Sequence, residues 1–398
     1  MNGLELLADE IDGRLYAAVV RNSVLADLYT DPSATEAGWG SVYLGKVIKI
    51  DPKLDAAFVD LGNGVTGYLP AKHIHYTGAD KSETRTGVTE LLTGGQMILV
   101  QVKSEAKRST AHENHKLPRL TMKLYLPGLF IIYSPTASQV TMSRKIENAE
   151  TLSFTAKLKG KGGWIVQRHA EKASENDIEQ EAAALQETWE KLLADKEMRQ
   201  GKPGLLLAGP NALFRALMDY GAPQFEHIYA GNKKILDLIT GWCAKHFPAL
   251  ATSKRLRLFK PEKPNQRLFD IYDLYAELEA LSDNHVPLDA GGSIIIEPTS
   301  TLTVIDVNQG SAENIASANQ AAAAEIARQC RLRNMSGAIL IDFISMDQRE
   351  ERARLLDMLA AAFAPDLNAP QIHGFTRLGM IELTRRRRTA TFAEKHGK

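Results

Sequence analysis

Apolar and polar positions follow different periods in successive stretches of this chain, and the changes of period divide it. Between residues 4 and 30 short strand-like runs recur, Arg14-Leu15-Tyr16-Ala17-Ala18-Val19-Val20 and then Val24-Leu25-Ala26-Asp27-Leu28-Tyr29. From 41 to 103, β-rich runs at 41–50, 56–61 and 98–103 are separated by Gly, Pro, Asn and Asp turns. No helical period of any length intervenes, and the pattern predicts a small barrel. A loop rich in Lys, Ser, Thr and His follows at 104–116 and reads as a mobile connector. Strand-like runs return between 117 and 166, among them Gly128-Leu129-Phe130-Ile131-Ile132-Tyr133 and Gly163-Trp164-Ile165-Val166. The period then becomes helical, with Ile178, Ala182, Leu185, Trp189, Leu192 and Leu193 on one face. After a boundary at 196–204, helices are expected at 211–220, 232–247 and 267–282.

The last block opens with Gly291-Gly292 and predicts strand, turn at Pro298-Thr299-Ser300, strand, helix, strand, helix and a final strand near 376–384. Two of its strands end on acids. Leu302-Thr303-Val304-Ile305 runs into Asp306-Val307-Asn308, and Ala338-Ile339-Leu340-Ile341 runs into Asp342. A carboxylate ending a buried strand is costly unless something pairs with it. An Ala-rich helical stretch separates the two runs, so the unit reads strand–helix–strand, which makes the strands parallel and brings both acids to one sheet edge. Positions 306 and 308 share a face. Two carboxylates and an amide oxygen suit a hard divalent cation such as Mg²⁺. Turn or helix caps after the strands fit the same residues, and the pattern leaves both readings open.

At 398 residues the chain holds two to four domains or subdomains, and its 44% hydrophobic and 24% charged content is that of an ordinary globular protein. Forty-eight basic residues balance 48 acidic ones, so only local patches bear on a nucleic-acid partner. The two cysteines, Cys243 and Cys330, form no metal-type pair and read as core thiols in a reducing compartment. No signal peptide and no membrane span is apparent, which places the expected location in the cytoplasm.

Within the predicted barrel, Phe58 and Tyr68 fall ten positions apart on successive strands, near Lys46, Lys49, Lys72 and His73. Aromatics beside bases stack single strands in OB-type barrels, although such residues also simply fill small cores. The motifs Gly45-Lys46-Val47, Ala56-Ala57-Phe58-Val59-Asp60-Leu61-Gly62 and Gly67-Tyr68-Leu69-Pro70 resemble the S-one-type RNA-binding domain of the bacterial ribonuclease E/G family. The likeness is more specific in the last block. It is carried there by Gly291-Gly292-Ser293, Thr303-Val304-Ile305-Asp306-Val307-Asn308, Glu325-Ile326-Ala327-Arg328-Gln329-Cys330-Arg331, Ile341-Asp342-Phe343-Ile344 and Arg377-Leu378-Gly379-Met380-Ile381-Glu382-Leu383-Thr384-Arg385.

The resemblance implies an α/β, multi-subdomain fold. An RNase H-like portion (1–35 and 205–282) would be interrupted by an OB-fold RNA-binding domain (36–104) and a 5′-sensor-like region (105–204). A DNase I-like catalytic subdomain (283–398) would follow. It further implies a Mg²⁺-dependent endoribonuclease that hydrolyses single-stranded RNA to 5′-phosphate and 3′-hydroxyl ends, in rRNA processing or mRNA decay. Asp306 and Asp342 would hold the metal and Asn308 would assist them. Phe58, Tyr68, Lys46, Arg377, Arg385 and Arg387 would contact RNA. A catalytically silent RNA-binding protein of the same fold is the alternative.

Three departures from the family pattern bear on control of the reaction. The family's Arg-Thr pair for a 5′-monophosphate has its nearest counterpart in Arg168-His169, with Thr121 in the altered approach Lys116-Leu117-Pro118-Arg119-Leu120-Thr121. No zinc link follows Arg385-Arg386-Arg387-Arg388, so no zinc is expected, and a monomer or dimer is expected rather than the family's tetramer. Ser345 stands where an acid is common.

Overall fold

The computed structural model describes residues 3–33, 36–75, 87–107, 116–143, 146, 158 and 162–396. Its first three strands, Leu4–Ile11, Arg14–Arg21 and Val24–Thr30, form an antiparallel meander. Asp12-Gly13, with φ of 50° and 73°, makes the two-residue turn that matches the natural twist of a hairpin. Two much later strands, His227–Ala230 and Leu256–Leu258, add in parallel beside the first of these. The helices Ala212–Tyr220 and Lys233–His246 contribute Leu213, Leu217, Ile235 and Ile239 to the core against this sheet.

The chain between Val42 and Leu207 is inserted into that sheet's connections. Val42–Asp51, Ala56–Asp60, Thr66–Pro70, Arg119–Thr121 and Met97–Ser104 pair in sequence around a closed, OB-like barrel, and Gly204–Leu207 extends it. The closing strand Arg119–Thr121 lies beyond the 36–104 span expected for the barrel. It returns after the 104–116 loop to pair with Met97–Ser104, so the loop is an excursion from the barrel rather than its end. Residues 108–115 of that loop lie outside the described residues, while Lys107 and Lys116 bridge its base. A four-stranded sheet follows, and the helix Glu175–Met198 buries Ile178, Ala182 and Leu185 in the core it shares with that sheet. The helix expected over 267–282 is instead a 3-10 turn, Leu268–Tyr272, and a short helix, Leu274–Ala280. Asp273 interrupts them with a left-handed backbone at φ 52°.

The last block folds as a six-stranded sheet in the order His285–Pro287, Ser293–Pro298, Leu302–Asn308, Gly337–Asp342, Ile381–Arg385, Gln371–Phe375. Leu302–Asn308 and Gly337–Asp342 are its one parallel pair, as the intervening helix Ile315–Leu332 requires. That helix and Arg349–Phe363 cover one sheet face with Ile326, Cys330, Leu355 and Leu359. The fold is thus mixed α/β with several subdomains and an OB-like barrel. Both cysteines are buried core thiols, and burial pushes each up to about 12.

The final segment straps these parts together. Glu105, at the exit of the barrel, accepts from Trp39 N (3.0 Å) and Ala390 N (2.7 Å). Arg388 reaches Asp219 at 3.1 Å, and Lys395 donates to the Thr30 carbonyl of the first sheet. Desolvation pushes Lys395 down to about 8. No helix among the described residues is long and apolar enough to cross a membrane.

Candidate active site and nucleic-acid interface

Strand periodicity places the two acids. In Leu302–Asn308 the residues Thr303, Ile305 and Val307 are buried under the helices, while Asp306 and Asn308 point the other way and are exposed. Gly337–Asp342 repeats the alternation, burying Ile339 and Ile341 and exposing Asp342. The parallel register sets Asp306 directly beside Asp342. Asn308 Nδ2 donates to Asp306 Oδ2 at 2.9 Å, which fixes the amide two residues along the same face. The desolvation cost anticipated for strand-end acids is avoided because neither carboxylate is buried.

Neither aspartate caps a helix. The helix Ile315–Leu332 is capped by Asn314, whose Oδ1 accepts from Ser317 N at 2.9 Å, and Arg349–Phe363 begins after Gln348 without a side-chain cap. The site is two exposed carboxylates and an oriented amide, and no third His, Cys, Asp or Glu completes a metal-binding group with them among the described residues. Its backbone is held closely. At Gly292 (φ +85°) an added Cβ would lie 2.4 Å from the Asn308 carbonyl oxygen, so only glycine lets that turn approach.

The uncovered face continues across the sheet. Leu340 stands opposite Glu382, and His373 Nε2 meets Thr384 Oγ1 at 3.1 Å on the adjoining pair of strands. Glu382, Thr384 and His373 were not singled out from sequence, although the period-2 exposure of Ile381–Arg385 marks the first two. Arg377 is exposed in the tip of the hairpin that extends past the Ile341–Ile381 pair, on the same sheet edge as Asp342.

At the other end of the same strands lies a cleft of about 1700 Å³, walled by Leu302, Thr303, Met335 and Gly337 and by the barrel. It does not enclose the acids. From Leu302 to Asp306 the strand rises about 13 Å. Phe58 and Tyr68 are in register on paired barrel strands, their rings 6.0 Å apart and inclined by 65°, and both line this cleft. Lys49 Nζ lies 5.4 Å from the Phe58 ring centre. Lys46 is exposed on the barrel and does not line the cleft.

Of the sensor candidates Thr121, Arg168 and His169, only Thr121 lines the cleft. Thr121 is buried in the cleft wall, accepting from Lys123 N at 3.0 Å. Arg168 is exposed and His169 packs against Gly221 and the Asp219 carbonyl, and neither lines the cleft. Burial lowers the His169 pKa. The residue that does reach the cleft is Gln167, whose Nε2 donates to Gly128 O at 2.7 Å.

The arginine run also needs correction as an RNA contact. Arg385 is buried, gripping Asp366 through Nε (2.6 Å) and Nη2 (3.2 Å) and donating to Met335 O at 2.6 Å. No guanidinium edge is left for a phosphate. Arg387 is held by Glu394 at 2.9 Å and Arg388 by Asp219, leaving Arg386 as the exposed member.

Comparison with known proteins bears on this arrangement. The sequence model described as Ribonuclease E/G family matches residues 125–388, and that described as S1 RNA binding domain matches 37–108. The chain is 31% identical to Ribonuclease G of Haemophilus influenzae, over 97% of this chain and 80% of that protein. It is 30% identical to Ribonuclease G of Salmonella typhimurium, over 96% and 80%. Ribonuclease E of Synechocystis sp. is 32% identical over 96% of this chain and 56% of its own length.

Proposed function

Because this chain belongs to the ribonuclease E/G family, we propose that it is a cytoplasmic endoribonuclease that cuts single-stranded RNA on the open face of its last sheet. The observation that carries this reading is the register of Asp306 with Asp342 and the bond from Asn308. These three polar groups stand on a sheet face that leads from the aromatic cleft.

The donor set fits a hard cation, because both carboxylates are exposed, uncapped and adjacent. Asp306 and Asp342 would hold a Mg²⁺ ion. Such an ion, when bound, offsets the negative charge that builds on the phosphate and acidifies the attacking water. The chain's own residues supply the rest. Asn308 keeps the Asp306 carboxylate oriented, and its amide oxygen is free to meet substrate. Arg377, at the same edge, offers a guanidinium to a phosphate. Phe58 and Tyr68 hold bases by stacking, which is tolerant of sequence. Hydrolysis would leave 5′-phosphate and 3′-hydroxyl ends, and rRNA precursors or mRNA are the substrates proposed.

Cleavage of a fluorescent single-stranded RNA, with Mg²⁺ or with EDTA, tests the site. Asp306→Asn and Asp342→Asn should each lower kcat by about 100-fold or more, while RNA affinity measured in EDTA stays near wild type. Metal-dependent activity surviving both substitutions would sink the assignment. Tight RNA binding with no cleavage by the wild type, on several unstructured RNAs, would favour the silent RNA-binding protein.

A further inference from the structure

The cleft beside the aromatic pair carries a group of cations that neither the metal site nor the stacking platform uses. Arg119 is in register with Tyr68 on one side and Ser104 on the other, so its side chain emerges next to the aromatic platform. Lys103, from the neighbouring strand, donates to His73 Nε2 at 3.2 Å. Lys123 follows two residues after the buried Thr121, and all four line the cleft. Among the described residues no carboxylate pairs with Lys103, Arg119 or Lys123, and Arg119 Nε is buried with no hydrogen-bond partner.

We propose that Lys103, Arg119 and Lys123 form a phosphate clamp next to Phe58 and Tyr68, with His73 as the acceptor that aims the Lys103 ammonium. The clamp takes a phosphate of the strand whose bases stack on that platform, so the proposal rests on the RNA-cutting reading above. Like charges held together with no counter-charge are unfavourable in the free protein, and an anion relieves that repulsion. The mutual influence is visible in His73, which desolvation and the charges of Lys103, Arg119, Lys72 and Lys123 push down to about 4. Its imidazole is therefore neutral near pH 7 and keeps a lone pair for Lys103. The Lys103 pKa is lowered by desolvation and by Arg119, Lys123, Lys72 and Arg386. A planar guanidinium with an unused Nε–H suits a phosphate edge. With Arg168 outside the cleft and Gln167 inside it, these three are among the cations that line it, together with Lys107, Lys116 and Arg386.

A terminal monophosphate and an internal phosphodiester present the same chemistry, and one binding experiment separates them. Affinity of the whole chain for fluorescent single-stranded RNA, bearing a 5′-phosphate or a 5′-hydroxyl, is measured in EDTA across a salt series. Lys103→Gln and Arg119→Gln should weaken binding and reduce the slope of log K against log salt by about 0.7 per lost contact. Phe58→Ala should weaken binding with the slope unchanged. Equal losses on both RNAs assign an internal phosphate, and losses confined to the phosphorylated RNA assign its 5′ end. A wild-type slope in Lys103→Gln, whose exposed side chain gives no folding penalty, overturns the clamp. Cleavage of the same RNA by the wild type with Mg²⁺ is scored separately. Active enzyme with an unchanged slope rejects only the clamp, and a changed slope without cleavage rejects only the nuclease.

Discussion

Arg385 and Arg386 are consecutive, yet one closes a buried ion pair and the other faces solvent. Arg385 uses its fork on Asp366, and both partners are almost wholly buried. Removing one member of such a pair strands the other charge in a poor solvent, at a cost of about 3–5 kcal/mol. Arg385→Ala should therefore lower Tm sharply, and the remaining folded protein should keep wild-type RNA affinity. A variant that folds normally but loses RNA binding would restore Arg385 to the interface. A run of four arginines reads from sequence as a phosphate patch because side-chain direction is invisible there. Strand pairing turns Arg385 inward, and its partner Asp366 belongs to a loop that no spacing rule links to it. Asp306, Asn308 and Asp342 were legible for the opposite reason. Their position depends only on strand period and on the handedness of one crossover, both of which local sequence dictates.

Whole elements are locked by polar groups as well as by apolar faces. Glu181, on the helix Glu175–Met198, is fully buried and accepts from the backbone N–H groups of Leu129 (2.5 Å), Phe130 (2.8 Å) and Ile131 (3.0 Å). His246 approaches the same carboxylate at 3.2 Å. Gly128 leaves room for it, since an added Cβ would lie 2.5 Å from the Glu181 carboxyl carbon. One side chain thus ties the helix to the four-stranded sheet. Glu181→Gln puts an amide NH₂ where only acceptors fit, which should cost about 1–3 kcal/mol in denaturant unfolding. An unchanged midpoint would show that the three N–H groups find other partners. The apolar face Ile178, Ala182, Leu185 and Leu192 was legible from its period. Glu181 lies three residues after Ile178 on that same face, so the signal existed, but an acid there reads as surface until the donors are known.

At the scale of the molecule, the proposed binding surface and the proposed cutting site lie apart and are connected by one sheet. The aromatic pair and the cations line the cleft that Leu302 helps to wall, and the acids stand at the other end of that strand, which rises about 13 Å from Leu302 to Asp306. The cleft escaped sequence reasoning because its walls come from the barrel, the closing strand Arg119–Thr121, the strap around Arg386–Arg388 and the edge of the last sheet. No single stretch of chain encodes it. The separation makes the contribution of the platform depend on substrate length. For an RNA long enough to reach from Phe58 to Asp306, Phe58→Ala forfeits about 1–3 kcal/mol of stacking, and KM should rise by about 5- to 150-fold with kcat preserved. As the RNA is shortened until it cannot span both places, wild-type KM should climb and the difference between the two proteins should vanish. Steady-state kinetics on a ladder of fluorescent RNAs reads this directly. A Phe58→Ala penalty of the same size on the shortest cleavable RNA would mean that the barrel acts at the acids themselves, and the path along the open sheet would be wrong.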